Sequence, residues 1–240
     1  MIEVKYDRGI ELPGHGLWLD PRERKPFAFV SHAHSDHTGR HPEIITSATT
    51  SLLMAERVPG RRVEHILPFG ETSQVRDMRV TLLPAGHVFG SAQFFLEESD
   101  SLLYTGDFKL RPGLSAEAAQ WRRADTLIME TTYGLPRYVF PPEEEIIGKM
   151  VAFCQEALEE NAVPILLGYS LGKSQEILCA LARAGLSAEA AQWRQADTLI
   201  METTYGLPRY VFPPAAEIIG KMVAFCQETL EENAVPILLG

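Results

Sequence analysis

Residues 26–37 read Pro-Phe-Ala-Phe-Val-Ser-His-Ala-His-Ser-Asp-His. The apolar run Pro26–Val30 predicts a buried strand. Three imidazoles and a carboxylate follow within six residues, a density that core packing does not explain. In an extended segment His32 and His34 point the same way. Asp36 and His37 come where the chain turns, free to face a second point nearby. Neutral imidazole nitrogen and carboxylate oxygen suit zinc and similar divalent ions.

Outward from this stretch, Ile2–Tyr6 and Gly16–Asp20 read as short strands between Gly/Pro turns. His15, His41 and His65 each stand alone in turn or polar segments and read as exposed loop histidines. Ser47–Arg57 predicts a short helix closed by Pro59-Gly60. Val63–Pro68 and Val75–Leu83 predict strands. The second runs into Pro-Ala-Gly-His87-Val-Phe-Gly, where glycines let the backbone approach a metal closely. Gln93–Glu97 and Leu102–Thr105 predict strands, and Gly106-Asp107-Phe108 follows them. A carboxylate just past a buried strand is costly unless paired or coordinated.

Ala124–Thr132 predicts a strand ending near Glu130. Pro141-Pro142 followed by three glutamates opens a helix, since proline suits the first turn and acids suit the dipole. Its apolar stripe is Ile146, Ile147, Met150, Val151, Cys154, Ala157 and Leu158. Val163–Gly168 predicts a strand, and residues 169–176 turn into a helix through Arg183. Strand, helix, strand, helix suggests a parallel layer. Gly168-Tyr-Ser-Leu-Gly-Lys-Ser is one residue short of the spacing that a P-loop needs. The helix start at Ser170 and Lys173 could still hold a phosphate of a nucleic-acid strand.

The His-x-His-x-Asp-His spacing resembles the signature of metallo-β-lactamase-fold hydrolases. Glu130-Thr-Thr-Tyr-Gly, the proline-rich helix start and Gly168-Tyr-Ser-Leu-Gly-Lys-Ser-Gln-Glu narrow the resemblance to the β-CASP nucleases. Within these the chain is most similar to bacterial ligase-associated DNA exonucleases, over residues 1 to about 185. The resemblance implies an αββα sandwich of class α/β with a partial β-CASP α/β segment. It implies a domain over 1–133, a partial second domain over 134–184, and a metal centre for one or two zinc ions, or manganese. His32, His34, His87 and Asp107 would hold the first ion; Asp36, His37 and a bridging Asp107 the second. Asp36 would orient or deprotonate the attacking water. Glu130 would orient a histidine that protonates the leaving group. The family pattern asks for two further histidine motifs, and no histidine follows His87. The expected reaction is phosphodiester hydrolysis, on DNA rather than RNA. The alternatives are an inactive metal-binding module, an RNA-processing nuclease, and a thioester or lactone hydrolase.

Bulk properties bound these readings. The 240 residues are 45% hydrophobic and 22% charged, ordinary for a globular protein. No apolar run is long enough to span a membrane, and the start lacks the pattern of a secretory signal. Cys154, Cys179 and Cys226 are widely spaced and predict small buried or half-buried side chains in a reducing, cytoplasmic setting. The net charge of −10 argues against a broad basic nucleic-acid footprint. Bound cations would reverse the sign locally.

Residues 185–240 repeat residues 113–168 with four differences, Arg123/Gln195, Glu143/Ala215, Glu144/Ala216 and Ala157/Thr229. Two near-identical strands would compete for one place in a sheet. Alternative pairing or self-association is then expected.

Overall fold

The computed structural model describes residues 2–7, 9–160 and 171–186, positions 164, 166, 168 and 169, and the backbone of two short strands near 200 and 238. Contacts divide the chain into two units, Met1–Leu135 and Pro136–Gly240.

The first unit holds two sheets. One runs in chain order through β1 (Lys5–Tyr6), β2 (Ile10–Leu12), β3 (Leu17–Leu19), β4 (Ala28–Phe29), β5 (Glu43–Thr46) and β6 (Val63–Ile66). Its first three strands are antiparallel, and β3 to β6 are parallel. The other sheet contains β7 (Thr72–Val75), β8 (Met78–Pro84), β9 (Ala92–Glu97), β10 (Ser101–Tyr104) and β11 (Thr126–Ile128), in the order β11-β10-β9-β8-β7. It is antiparallel except for β10 against β11, where Leu102, Leu103 and Tyr104 face Thr126, Leu127 and Ile128.

The sheets bury one core between them. Leu12, Leu17, Leu19, Phe29 and Ile45 of the first sheet meet Met78, Val80, Leu82, Phe94, Leu96 and Leu102 of the second. Phe29 is tilted over Phe94 with ring centroids 5.1 Å apart, and meets Tyr104 edge-on at 6.2 Å. β9 is buried on both faces: Phe94 and Leu96 enter the core, while Phe95 joins Leu83, Leu103 and Ala124 on the far side. Helix α1 (Ala48–Arg57) packs against β6 and buries Thr50 and Met54. Ser47 caps it, its hydroxyl accepting the Thr50 N–H at 3.1 Å. This is a mixed α/β sandwich of the metallo-β-lactamase type.

Three features depart from the expected strands, the first being β2 over Ile10–Leu12, a stretch read as part of a turn. Glu43–Thr46 forms a central strand, although Pro42 and Ser47 leave only four residues between them. Val75 also ends one strand instead of opening the next. The chain reverses at Arg76-Asp77 to form the β7–β8 hairpin, with Arg76 at φ 54°. Such turns need positive φ and usually take Gly or Asn. Here Arg76 is held from outside. Its guanidinium pairs with Glu43 at 2.5 Å and lies over the Phe27 ring at 3.8 Å.

The three lone histidines are not exposed loop residues. His15 lies between Asp77 (3.3 Å) and Glu98 (2.9 Å), its side chain only 9% exposed. His65 sits in β6 and pairs with Glu43 at 2.8 Å. His41 is buried. In each case a tertiary partner supplied what the local sequence lacked.

The second unit contains α2 (Glu143–Glu159), α3 (Lys173–Arg183) and a parallel pair, β12 (Ile200–Met201) with β13 (Leu238–Leu239). Three glutamates open α2, and Lys149 pairs with Glu145 at 2.6 Å. Of the expected stripe only Cys154 is buried; Ile146 is 48% exposed. Cys179 is half-buried, and Cys226 lies outside the described residues. Of the expected strand Val163–Gly168, positions 164, 166 and 168 are described, none of them in a strand. Of the second copy of the β11 sequence only Ile200 is described, and Ile200–Met201 pairs with Leu238–Leu239. Among the described residues no helix is long and apolar enough to cross a membrane.

Candidate metal centre

The site forms where β4, β8 and β10 end on one side of the sandwich. After Phe29 the chain leaves its sheet. Val30 still bonds to Ile45, and the Ser31 N–H then turns to Asp20 Oδ1 at 2.7 Å. That bond redirects the backbone and starts the loop carrying His32, His34, Asp36 and His37. His87 arrives from the turn after β8, where Gly86 has φ 77° and an added Cβ would meet the Lys109 carbonyl at 2.3 Å. Asp107 follows β10 and Gly106, at φ 54°; a Cβ on Gly106 would come within 2.8 Å of the Ser31 side chain.

His32 is fully buried, and Ser31 Oγ lies 2.9 Å from its Nδ1. With Nδ1–H donating to Oγ, the Nε2 lone pair faces the cluster. His32 Nε2 lies 2.9 Å from His34 Nδ1, which lies 3.3 Å from His87 Nε2. Asp107 Oδ2 is 3.6 Å from His87 Nε2 and 3.9 Å from His32 Nε2. These four ligand atoms all lie within 4.8 Å of one another. A tetrahedral ion with bonds of about 2.1 Å needs donors about 3.4 Å apart, so the spacing fits a zinc-sized cation.

The other Asp107 oxygen faces a second group. His37 Nε2 lies 3.4 Å from Asp107 Oδ1 and 3.6 Å from Asp36 Oδ2. Asp36 is half-exposed and meets Arg22 at 3.8 Å. Behind His37 stands Asp20, its carboxylate 3% exposed. Asp20 Oδ2 accepts from His37 Nδ1 at 3.0 Å and from the Tyr104 hydroxyl at 2.9 Å. Asp20 itself is held at φ 44°, a strained conformation that its three hydrogen bonds sustain.

Protonation follows from these surroundings. Burial, then the neighbouring His37, His34 and His87, hold His32 well below the usual histidine range. Burial, with His34 and His37, lowers His87 to about 4, against opposition from Asp107 and Glu130. Both rings are therefore neutral and can donate a lone pair. His37 goes the other way. Burial would lower it, but Asp20 and Asp107 on either side raise it to about 10, so this ring would hold a cation only by giving up its Nε2 proton. Burial would raise Asp107, yet the His37 hydrogen bond and the nearby imidazoles hold it low. Tyr104 is pushed up by burial and by Asp20, so it stays a hydroxyl donor.

Glu130 lies past β11, close enough to act on the charge of His87, and its Oε2 accepts the Thr132 N–H at 3.0 Å. Lys173 is exposed at the start of α3, with Nζ 5.1 Å from the Tyr169 ring centre. Gln175 Oε1 and Ser174 Oγ serve backbone groups at that helix start. Ser170 lies outside the described residues. Sequence reasoning missed Asp20, Tyr104 and Arg22. The signal for Asp20 was an acid between an apolar strand and Pro21, a place where a carboxylate is buried only with partners.

No protein-family profile matches the chain. It is 49% identical to a probable DNA ligase of Opitutus terrae over 239 residues, 97% of the chain and 23% of that protein. It is 30% identical to the DNA cross-link repair 1A protein of Homo sapiens over 183 residues, 70% of the chain and 18% of that protein. It is 28% identical to transcription termination factor FttA of Cenarchaeum symbiosum over 214 residues, 74% of the chain and 33% of that protein. The chain thus spans between 18% and 33% of the length of these relatives.

Proposed function

We propose that this chain, which belongs to the β-CASP nuclease family of the metallo-β-lactamase fold, carries the metal centre of a hydrolase that cuts phosphodiester bonds in nucleic acid. The observation that carries the reading is the placement of Asp107. One of its oxygens faces His32 and His87, the other faces His37. Asp107 so placed would let its carboxylate serve two ligand sets. His32, His34, His87 and Asp107 would hold the first; Asp36, His37 and Asp107 the second.

Bound there, zinc or manganese would lower the pKa of a coordinated water and balance charge on the phosphate oxygens. The chain's own groups do the rest. Asp36 is half-exposed at the mouth of the cluster and would orient the water and take its proton. Asp20 holds the His37 ring in place and, through it, the second ligand set. Glu130, beside His87, would orient the group that protonates the leaving oxygen. Ser170 and Lys173 would contact a substrate phosphate.

DNA is the favoured substrate, because two of the relatives are named for DNA ligation and DNA cross-link repair. The termination factor keeps RNA as the second reading. Metal analysis of folded, chelator-free protein should find about one zinc per chain held tightly and a second held weakly. Labelled single- and double-stranded DNA and RNA ends should be cut by the zinc- or manganese-loaded chain, and Asp36→Ala should stop the cutting. Folded protein without zinc affinity would end the proposal.

A further inference from the structure

A second polar cavity shares no lining residue with the histidine cluster. It encloses about 240 Å³ and is walled by Arg24, Arg40, His41, Pro42 and the turn 58–62. Three segments meet there: the loop after β3, the chain between His37 and β5, and the turn after α1. Four arginines line it, and no carboxylate does. On a chain of net charge −10 this is a local reversal of sign.

The four arginines are not equivalent. Arg62 is committed, with Nε on Glu64 at 2.6 Å and Nη1 on the Val58 carbonyl at 2.8 Å. Arg24 gives its Nε to the Arg40 carbonyl at 3.2 Å and keeps its terminal nitrogens. Arg40 and Arg61 are exposed and have no carboxylate partner among the described residues.

His41 closes one wall of the cavity. It is 2% exposed, and the Lys25 N–H donates to its Nδ1 at 3.0 Å. The proton of the neutral ring therefore sits on Nε2. Nε2 has no hydrogen-bond partner among the described residues. The Pro21 backbone also acts on the ring and favours its protonated form. His41 lines the arginine-walled space, while its Nε2 is sealed from solvent and packs against Gly39.

Size and chemistry select the occupant. Pockets for drug-sized ligands enclose about 300–1,000 Å³, so this one suits a phosphate or a sugar phosphate. Guanidinium forks match phosphate oxygens two at a time. Arg40 follows His37 by three residues, so their Cα atoms lie no more than about 11 Å apart.

We propose that the cavity walled by Arg24, Arg40, His41 and Arg61 binds a phosphate of the nucleic-acid strand. The identity of the strand rests on the function proposed above; the presence of a phosphate site does not. The test compares the full metal-loaded chain with Arg40→Ala/Arg61→Ala, both exposed positions. Inorganic phosphate, set against chloride at equal ionic strength, should raise the melting temperature of the wild type and leave the variant unmoved. A fluorescein-labelled single-stranded DNA should bind the variant about five- to tenfold more weakly, with the slope of log affinity against log salt smaller by about one per lost contact. If the double variant is unstable, Arg40→Gln alone repeats both measurements. A variant matching the wild type in both arms overturns the proposal. If phosphate discriminates and neither protein binds DNA, the strand assignment is wrong and a small-phosphate site remains. Cleavage is scored separately: absent cutting with intact phosphate discrimination sinks the hydrolase reading alone.

Discussion

Replacing Ser31 by alanine tests the metal centre at its most enclosed ligand. The hydroxyl lies 2.9 Å from His32 Nδ1, and both residues are buried, at 1% and 0% exposure. Alanine keeps the Cβ, so packing against Gly106 is unchanged and only the hydrogen bond is lost. A buried donor left without its partner costs about 1–3 kcal/mol. For a domain of this size that corresponds to a melting temperature lower by roughly 2–10 °C. The His32 ring also loses the group that fixes its tautomer, which typically costs 10–100-fold in metal affinity. The loss should fall on one ion only, because His37 is oriented by Asp20 and not by Ser31. The assay is a zinc titration against a chromophoric chelator, read as two steps. The tight step should weaken at least tenfold and the weak step should move less than about threefold. A tight step unchanged in a destabilised protein would refute the assignment of His32 as a ligand held by Ser31.

Four further outcomes are expected. Asp107→Asn should weaken both binding steps together, and it is the only single substitution in the cluster expected to do so; zinc counting on dialysed protein checks it. Gly106→Ala should destabilise by about 1–3 kcal/mol in urea unfolding, because φ is 54° and the new methyl meets Ser31 at 2.8 Å. Burial, with the charge of Arg62, lowers the pKa of His41 in the fold, against weaker raising by nearby backbone groups and Asp20. Its contribution to stability is complete above the unfolded value near 6.5 and is lost as pH falls toward the folded value. His41→Gln should therefore flatten the fall in stability between pH 7 and 5, by at most about 1.4 kcal/mol per pH unit. At the β7–β8 hairpin, Arg76→Val should cost about 1–2 kcal/mol more than Arg76→Gly, since only glycine accepts φ 54° freely.

The ligand cluster was legible because its chemistry is dense and local: four of its six members lie within residues 32–37. His87 and Asp107 were legible as polar residues beside glycines at the ends of apolar strands. Asp20 was not, because its role exists only through partners 11, 17 and 84 residues away. The same reason hides His15, His41 and His65, each of which finds its partner at a distance. β5 escaped because its apolar content is one pair, Ile44-Ile45, and its pairing depends on neighbours on both sides. The β7–β8 reversal escaped because Arg76-Asp77 lacks the usual turn residues; Glu43 and Phe27 hold it in place of a glycine. The cavity arginines are dispersed along the sequence and gather only in the fold.

The parallel edge where β11 meets β10 has a consequence for the repeated sequence. Asp125, Thr126, Leu127 and Ile128 recur unchanged as Asp197, Thr198, Leu199 and Ile200. No side chain in that register can tell the twins apart, including the carboxylate that anchors Ser101 at 2.9 Å. Only the tether differs, and the route from Tyr104 to the distant twin is about fourfold longer, worth roughly 1.2 kcal/mol of closure entropy. That handicap is smaller than the loss of one well-packed methylene pair, so a single trimmed side chain in the nearer twin would let the farther one take its seat.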